Sequence, residues 1–194
     1  MCMNQGNKKN KIAIIGHTRG IGKAIADLYR KKKYTVVGLS SSNGYDLQCS
    51  QVEIMEQLDD CRLIVLNAYV GRGQMTLLKR IYGKYLFEDK KVVVITSTSG
   101  TPIGADEELY NAEYVDYCKN KKILIEYIEQ LQQELLNKPL SVYDVCPDVV
   151  DTDMTKGLWE DLPKLKADEV AEAVHYCFNS KFNINKIVIQ KNVS

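Results

Sequence analysis

The chain has 194 residues, 45% hydrophobic and 26% charged, the balance of a soluble globular protein with room for one sizeable core. Lys and Arg (26) offset Asp and Glu (25) to a net charge of +1, so bulk charge recruits neither nucleic acid nor a membrane surface. The 6 cysteines form no CxxC pair, His17 and His175 have no ligand-like companions, and no apolar run reaches membrane-spanning length. The expectation is a reduced, cytoplasmic protein without a metal site.

Residues 1–10 are polar and read as a flexible tail, leaving 11–194 as one domain. Ile12 to Ile15 form an apolar run of strand length that ends at Gly16, and a helical pattern then continues to about Lys32. Residues 34–39 read as a second strand rich in β-branched side chains, 40–44 as a turn, and 45–47 as a very short third strand. A helix over 51–58 leads to the almost continuous apolar run 62–67, the pattern of a strand buried on both faces. Next come a helix over 74–86, a buried strand over 91–96, a loop with Gly100, Pro102 and Gly104, and a long helix over 113–136. A strand over 140–146 stops at Pro147, and 148–165 is irregular. A helix over 167–178 and a strand over 185–190 end the pattern. Strands alternating with helices of crossover length predict a single doubly wound parallel sheet in three α/β/α layers.

Three stretches carry chemistry. Gly16, Gly20 and Gly22 lie between a strand and a helix, the context in which spaced glycines cradle a phosphate. The first allows a tight turn, the second a close backbone approach, and the helix N-terminus attracts the anion. Taken alone, the same glycines also fit a turn that binds nothing. On the long helix, Tyr110, Tyr114, Tyr117, Lys121, Leu124 and Ile128 recur at steps of three or four, which sets Tyr117 one turn from Lys121. A cation beside a phenol lowers its pKa from about 10 and suits it to general acid–base work. A tyrosine at the edge of a packing face beside a solvated lysine has the same spacing. Thr96 to Ser99 put hydroxyls at the carboxyl end of a buried strand, where open α/β sheets bind ligands, although turn capping also uses such residues.

In this order the segments make the chain resemble the short-chain dehydrogenase/reductase family from Lys11 to Gln190, which implies a Rossmann fold. Gly16-His17-Thr18-Arg19-Gly20-Ile21-Gly22 is similar to the family's glycine motif, and Asp46-Leu47 to its adenine-contacting pair. Leu66-Asn67-Ala68-Tyr69 is similar to its Asn-Asn-Ala-Gly stretch. Ser97 takes the place of the catalytic serine, and Tyr117 and Lys121 the place of its YxxxK. Pro147, Asp148, Val150 and Thr152 fall in the segment that closes over the nicotinamide. The chain departs from the pattern at Ile15, where the family has threonine, and at Asp148, where it has glycine. It also carries an insertion in the 100–111 loop. The segment between Asn67 and Ser97 is short and has no clear counterpart of the family's proton-relay asparagine.

The resemblance implies an oxidoreductase interconverting a carbonyl and an alcohol. Tyr117 then exchanges the proton, Ser97 bonds the same oxygen, and Lys121 holds the nicotinamide ribose and lowers the pKa of Tyr117. No carboxylate stands at the end of the second strand, while Arg19 and the hydroxyls of 40–42 can meet a 2′-phosphate, so NADP(H) is expected over NAD(H). Leu158, Trp159 and Met154 are the expected apolar lining for a small-molecule substrate. A homodimer or homotetramer is expected through the long helix, with Ile123, Ile125 and Tyr127 facing a partner. A non-catalytic NADP-binding regulator and an epimerase-like activity are the alternative readings.

Overall fold

The apolar residues of β1 (Lys11–Ile15) alternate between two cores. Ala13 and Ile15 are buried on one side of the sheet, Ile12 and Ile14 on the other. β3 (Leu63–Leu66) and β4 (Lys91–Ile95) repeat the pattern, with Ile64, Leu66, Val92 and Val94 on the first face and Leu63, Val65, Val93 and Ile95 on the second. A strand covered on both faces needs no polar side, which is why these segments read as unbroken apolar runs. The computed structural model describes residues 10–101 and 111–192.

With β2 (Thr35–Leu39), β5 (Ser141–Pro147) and β6 (Lys186–Ile189) these strands form a six-stranded parallel sheet in the order β2-β1-β3-β4-β5-β6. α1 (Gly20–Lys31) and α5 (Ala167–Asn179) cover one face, burying Ile25, Tyr29, Val170 and Val174. α2 (Gln51–Leu58), α3 (Gly73–Tyr85) and α4 (Ala112–Glu134) cover the other with Ile54, Leu77, Ile81, Leu124 and Ile128. The fold is the doubly wound α/β/α sheet that the alternation of strands and helices implies. Because β1 pairs with β2 on one side and β3 on the other, the loops leaving β1 and β3 part at the switch in strand order and open a crevice there.

Two expectations need correction. The segment 45–47 is not a strand: Asp46 turns its carboxylate onto the backbone N–H groups of Gln48 and Cys49 (2.7 and 3.2 Å). An Asp that takes its own downstream amides favours a turn over a ladder, so the sheet ends at β2. On α4, Ile125 is buried rather than free for a partner, because the turn over Thr98–Gly100 packs against it. Ile123 and Tyr127 are half-buried, and the Lys79 ammonium lies 5.2 Å from the centre of the Tyr127 ring. Most of the expected tail, 1–9, and residues 102–110 of the expected insertion, Tyr110 included, lie outside the described residues. No helix among the described residues is long and apolar enough to cross a membrane.

Candidate active site

At the end of β1 the chain turns sharply at Gly16 (φ 87°), whose N–H donates to the Leu39 carbonyl at 2.7 Å. The amides of Asn67 and Ala68 both donate to the Ile15 carbonyl, and the Asn67 side chain donates to the Gly16 carbonyl at 2.9 Å. The first glycine and the end of β3 are therefore tied together. A Cβ on Gly22 would sit 1.9 Å from the Gly16 carbonyl oxygen, so the loop folds back on its own helix as only glycine permits. Gly20 (φ 50°) faces Thr152 from the far side, where a Cβ would meet the threonine methyl at 3.2 Å. Arg19 is the N-cap of α1, exposed and making no side-chain cap, and the first turn of α1 carries no acidic residue. Its leading N–H groups and dipole thus face the crevice without a counter-charge of their own.

His17 lies over Gly38 of β2, so closely that a Cβ there would meet the ring at 2.4 Å. Its Nδ1 is buried and has no partner among the described residues. Ser40, at the end of β2, is buried in a small turn: its N–H donates to the Asn43 side chain at 2.8 Å and its hydroxyl lies 2.8 Å from that of Ser42. An orphaned ring nitrogen, an unmatched helix N-terminus and a glycine cradle fit the phosphates and ribose of a dinucleotide.

At the opposite end of the crevice, Ser97 follows β4 in an extended conformation and accepts from the Ser99 N–H at 3.2 Å. α4 approaches this turn because Gly100 has no side chain; a Cβ would lie 2.7 Å from the Lys121 backbone. That contact brings Ser97, Tyr117 and Lys121 together. Burial pushes the Tyr117 phenol up to about 12, and a hydrogen bond with Ser97 partly opposes the rise. Lys121 is almost fully buried, and its Nζ donates to the Gln74 side-chain oxygen and to the Ile95 carbonyl, both at 2.9 Å. Loss of solvation brings it down to about 7, against the opposing pull of Asp144 and Cys146. The expectation that Lys121 depresses the Tyr117 pKa is thus not met. The ammonium lies 5.6 Å from the centre of the phenol ring and is itself desolvated, so burial dominates for both groups.

Aromatic rings frame the pair. Tyr69 meets Tyr117 edge-on at 4.8 Å between centroids, Tyr114 stacks at 6.1 Å, and Trp159 tilts against Tyr114 at 5.5 Å. Met154 and Leu158, the other expected lining residues, are largely exposed. Several expected cofactor contacts are committed elsewhere. Leu47 is buried against Gly73, Val150 packs into the α1–α5 core, and Asp148 accepts a hydrogen bond from Thr98 at 2.9 Å. Ile21 packs against the same core, while Thr18 is exposed and Pro147 is buried where β5 ends.

No protein-family model matches the chain. Among curated proteins it is similar to the 3-oxoacyl-[acyl-carrier-protein] reductase FabG of Vibrio harveyi, 26% identical over an alignment spanning 80% of each chain. It is also similar to carbonyl reductase family member 4 of Xenopus laevis, 24% identical over 91% of this chain and 94% of that one. The chain is thus similar to these reductases over most of its length. The fold agrees with solved structures. A 3-alpha-hydroxysteroid dehydrogenase from Pseudomonas sp. B-0831 complexed with NADH superposes with a TM-score of 0.75 at 17% identity, covering 92% of this chain and 95% of that one. A small-chain dehydrogenase in complex with NADPH gives 0.74 at 16% identity, covering 93% and 96%.

Two site residues were not found from the sequence. His17 had no companion within its motif, because its partner surface is a glycine in the neighbouring strand. Gln74 opens a helix, where a polar residue reads as solvated, yet it is 2% exposed and bonded to Lys121. No local signal marks it; only the distance between α3 and α4 does.

Because burial disfavours the charged phenolate, Tyr117 keeps its proton well above neutrality. The ultraviolet difference between the parent and Tyr117→Phe should show no phenolate absorbance below pH 10. A phenolate signal developing near pH 7 would overturn this.

Proposed function

We propose that the chain is an NADP(H)-dependent oxidoreductase that reduces a carbonyl to an alcohol. The observation that carries this reading is the Ser97–Tyr117–Lys121 set, half-buried at Ser97 and Tyr117 and buried at Lys121, facing a glycine cradle across the crevice at the carboxyl ends of the strands. When bound, the reduced nicotinamide supplies the hydride. Tyr117, protonated at neutral pH, donates its phenolic proton to the oxygen that gains charge, and Ser97 donates a hydrogen bond to the same oxygen. Lys121 offers its remaining N–H to the ribose hydroxyls beside Tyr117. Tyr69, Tyr114 and Trp159 exclude water from the reacting centre and present flat apolar faces to the substrate.

Preference for NADP(H) is supported by Arg19, exposed at the α1 N-terminus beside the crevice, and by the hydroxyls of 40–42. The Asp46 carboxylate is turned onto its own backbone. A non-catalytic regulator on the same fold is the second reading, favoured by one observation: Lys121 is already held by Gln74 and Ile95, with Tyr69 beside it. Self-association as a homodimer or homotetramer belongs to the main reading. Exposed Tyr176, Phe182 and Val188 support placing the contact at the β6 edge and α5 rather than at α4.

Tyr117→Phe should abolish NADPH-dependent reduction across a panel of aldehydes, ketones and quinones while cofactor affinity stays within a few-fold. A parent that binds NADPH but turns over no member of the panel supports the regulator instead. A charge-assisted contact is worth about 1.5–3 kcal/mol, or roughly ten- to a hundredfold in affinity. Fluorescence titration should therefore give NADPH binding at least tenfold tighter than NADH, with most of the difference lost in Arg19→Ala; equal affinities sink the preference. Sedimentation should show a multimer at micromolar concentration that Val188→Glu weakens, and a monomeric parent contradicts self-association.

A further inference from the structure

Gln74 makes three hydrogen bonds from a buried position in the first turn of α3. Its Nε2 donates to the carbonyls of Leu66 and Ile95, the last residues of β3 and β4, at 2.8 and 3.1 Å. Its Oε1 accepts from Lys121 Nζ at 2.9 Å, and the same Nζ donates to Ile95 O at 2.9 Å. The amide can face only one way, since two backbone carbonyls require donors on one side and the lysine requires an acceptor on the other. Ile95 O, Lys121 Nζ and the Gln74 amide thus close a ring of hydrogen bonds that fixes two of the three N–H positions of Lys121. The cavity alongside, lined by Tyr69, Arg72, Met75 and Asn120 among others, measures about 10 Å³, room for one water at most.

We propose that Gln74 is a positioning residue for Lys121: it pins the ammonium to the end of β4 and leaves one N–H directed between Tyr69 and Tyr117. This rests on the oxidoreductase reading of the site and extends it to a residue that touches neither substrate nor the reacting atoms. Among the described residues, the charged and titratable groups around Lys121 are Tyr117 on its own helix, Tyr69 after β3, Asp144 and Cys146 on β5, and Arg72 at the start of α3. None of them is a carboxylate hydrogen-bonded to the lysine. The acceptor Gln74 offers is neutral, so it orients the amine without holding it charged.

Gln132 provides a control. It is a buried glutamine about three turns further along α4 that staples the Val142 and Asn185 carbonyls in the same manner (3.0 and 2.6 Å), away from Tyr117. The test compares Gln74→Met, Gln74→Glu and Gln132→Met in the full chain. The readouts are kcat and KM for carbonyl reduction across pH, and the ¹³Cε titration of Lys121 by NMR, which needs no turnover. Gln74→Met should lower kcat at least tenfold with KM within threefold. Gln74→Glu should retain more activity and move the Lys121 titration upward by about 1 pH unit or more, as an adjacent carboxylate does. Gln132→Met should lower stability and leave the titration in place. Gln74→Met with parental kcat and pH profile overturns the proposal, and so does a Lys121 titration unmoved in Gln74→Glu. If the parent reduces no carbonyl, the oxidoreductase reading fails, while the NMR titration still decides whether Gln74 governs Lys121.

Discussion

A protonated amine removed from water is stable only where its N–H groups find acceptors, and the candidate site is built around meeting that condition for Lys121. Each neighbouring element is shaped by it. The turn after β4 has glycine where α4 must come close. β4 ends on a carbonyl that serves two donors, and α3 begins where a glutamine can reach across. The same desolvation acts on Tyr117 with the opposite consequence, because the charged form of a phenol is its anion. The pair thus holds a proton firmly on oxygen and loosely on nitrogen at neutral pH, a state poised to donate rather than to abstract.

The other half of the crevice depends on main-chain proximity. Gly22 packs on the carbonyl of Gly16, Gly16 on Ala68, and Gly38 beneath His17. Side chains at these positions would push the β1–α1 turn away from β2 and β3. The Asn67 amide bond to Gly16 then locks the turn to the end of β3, so both halves of the site hang from the same central strands.

The sheet was legible because burial on both faces leaves β1, β3 and β4 as uninterrupted apolar runs, and the glycine loop because its spacing sits between a strand and a helix. The segment 45–47 misled because a three-residue strand has little signal, and an Asp within it can satisfy backbone amides locally. Ile125 misled for a different reason. α4 is packed on two sides, by the sheet core and by the turn after β4, so its buried arc is wider than the single stripe that helical periodicity shows. Gln74 and His17 were illegible because their roles depend on elements that come together only in the folded chain.

Ending the sheet at β2 leaves one side of that strand without a neighbour among the described residues, and open strand edges invite edge-to-edge association between molecules. Here the rim is short and closed at both ends. Lys31, Lys32 and Lys33 stand exposed before the strand, and after it the Asn43 side chain already claims the Gly38 carbonyl at 2.9 Å. The turn that shapes the nucleotide end of the crevice therefore also guards the chain against polymerising along its own backbone.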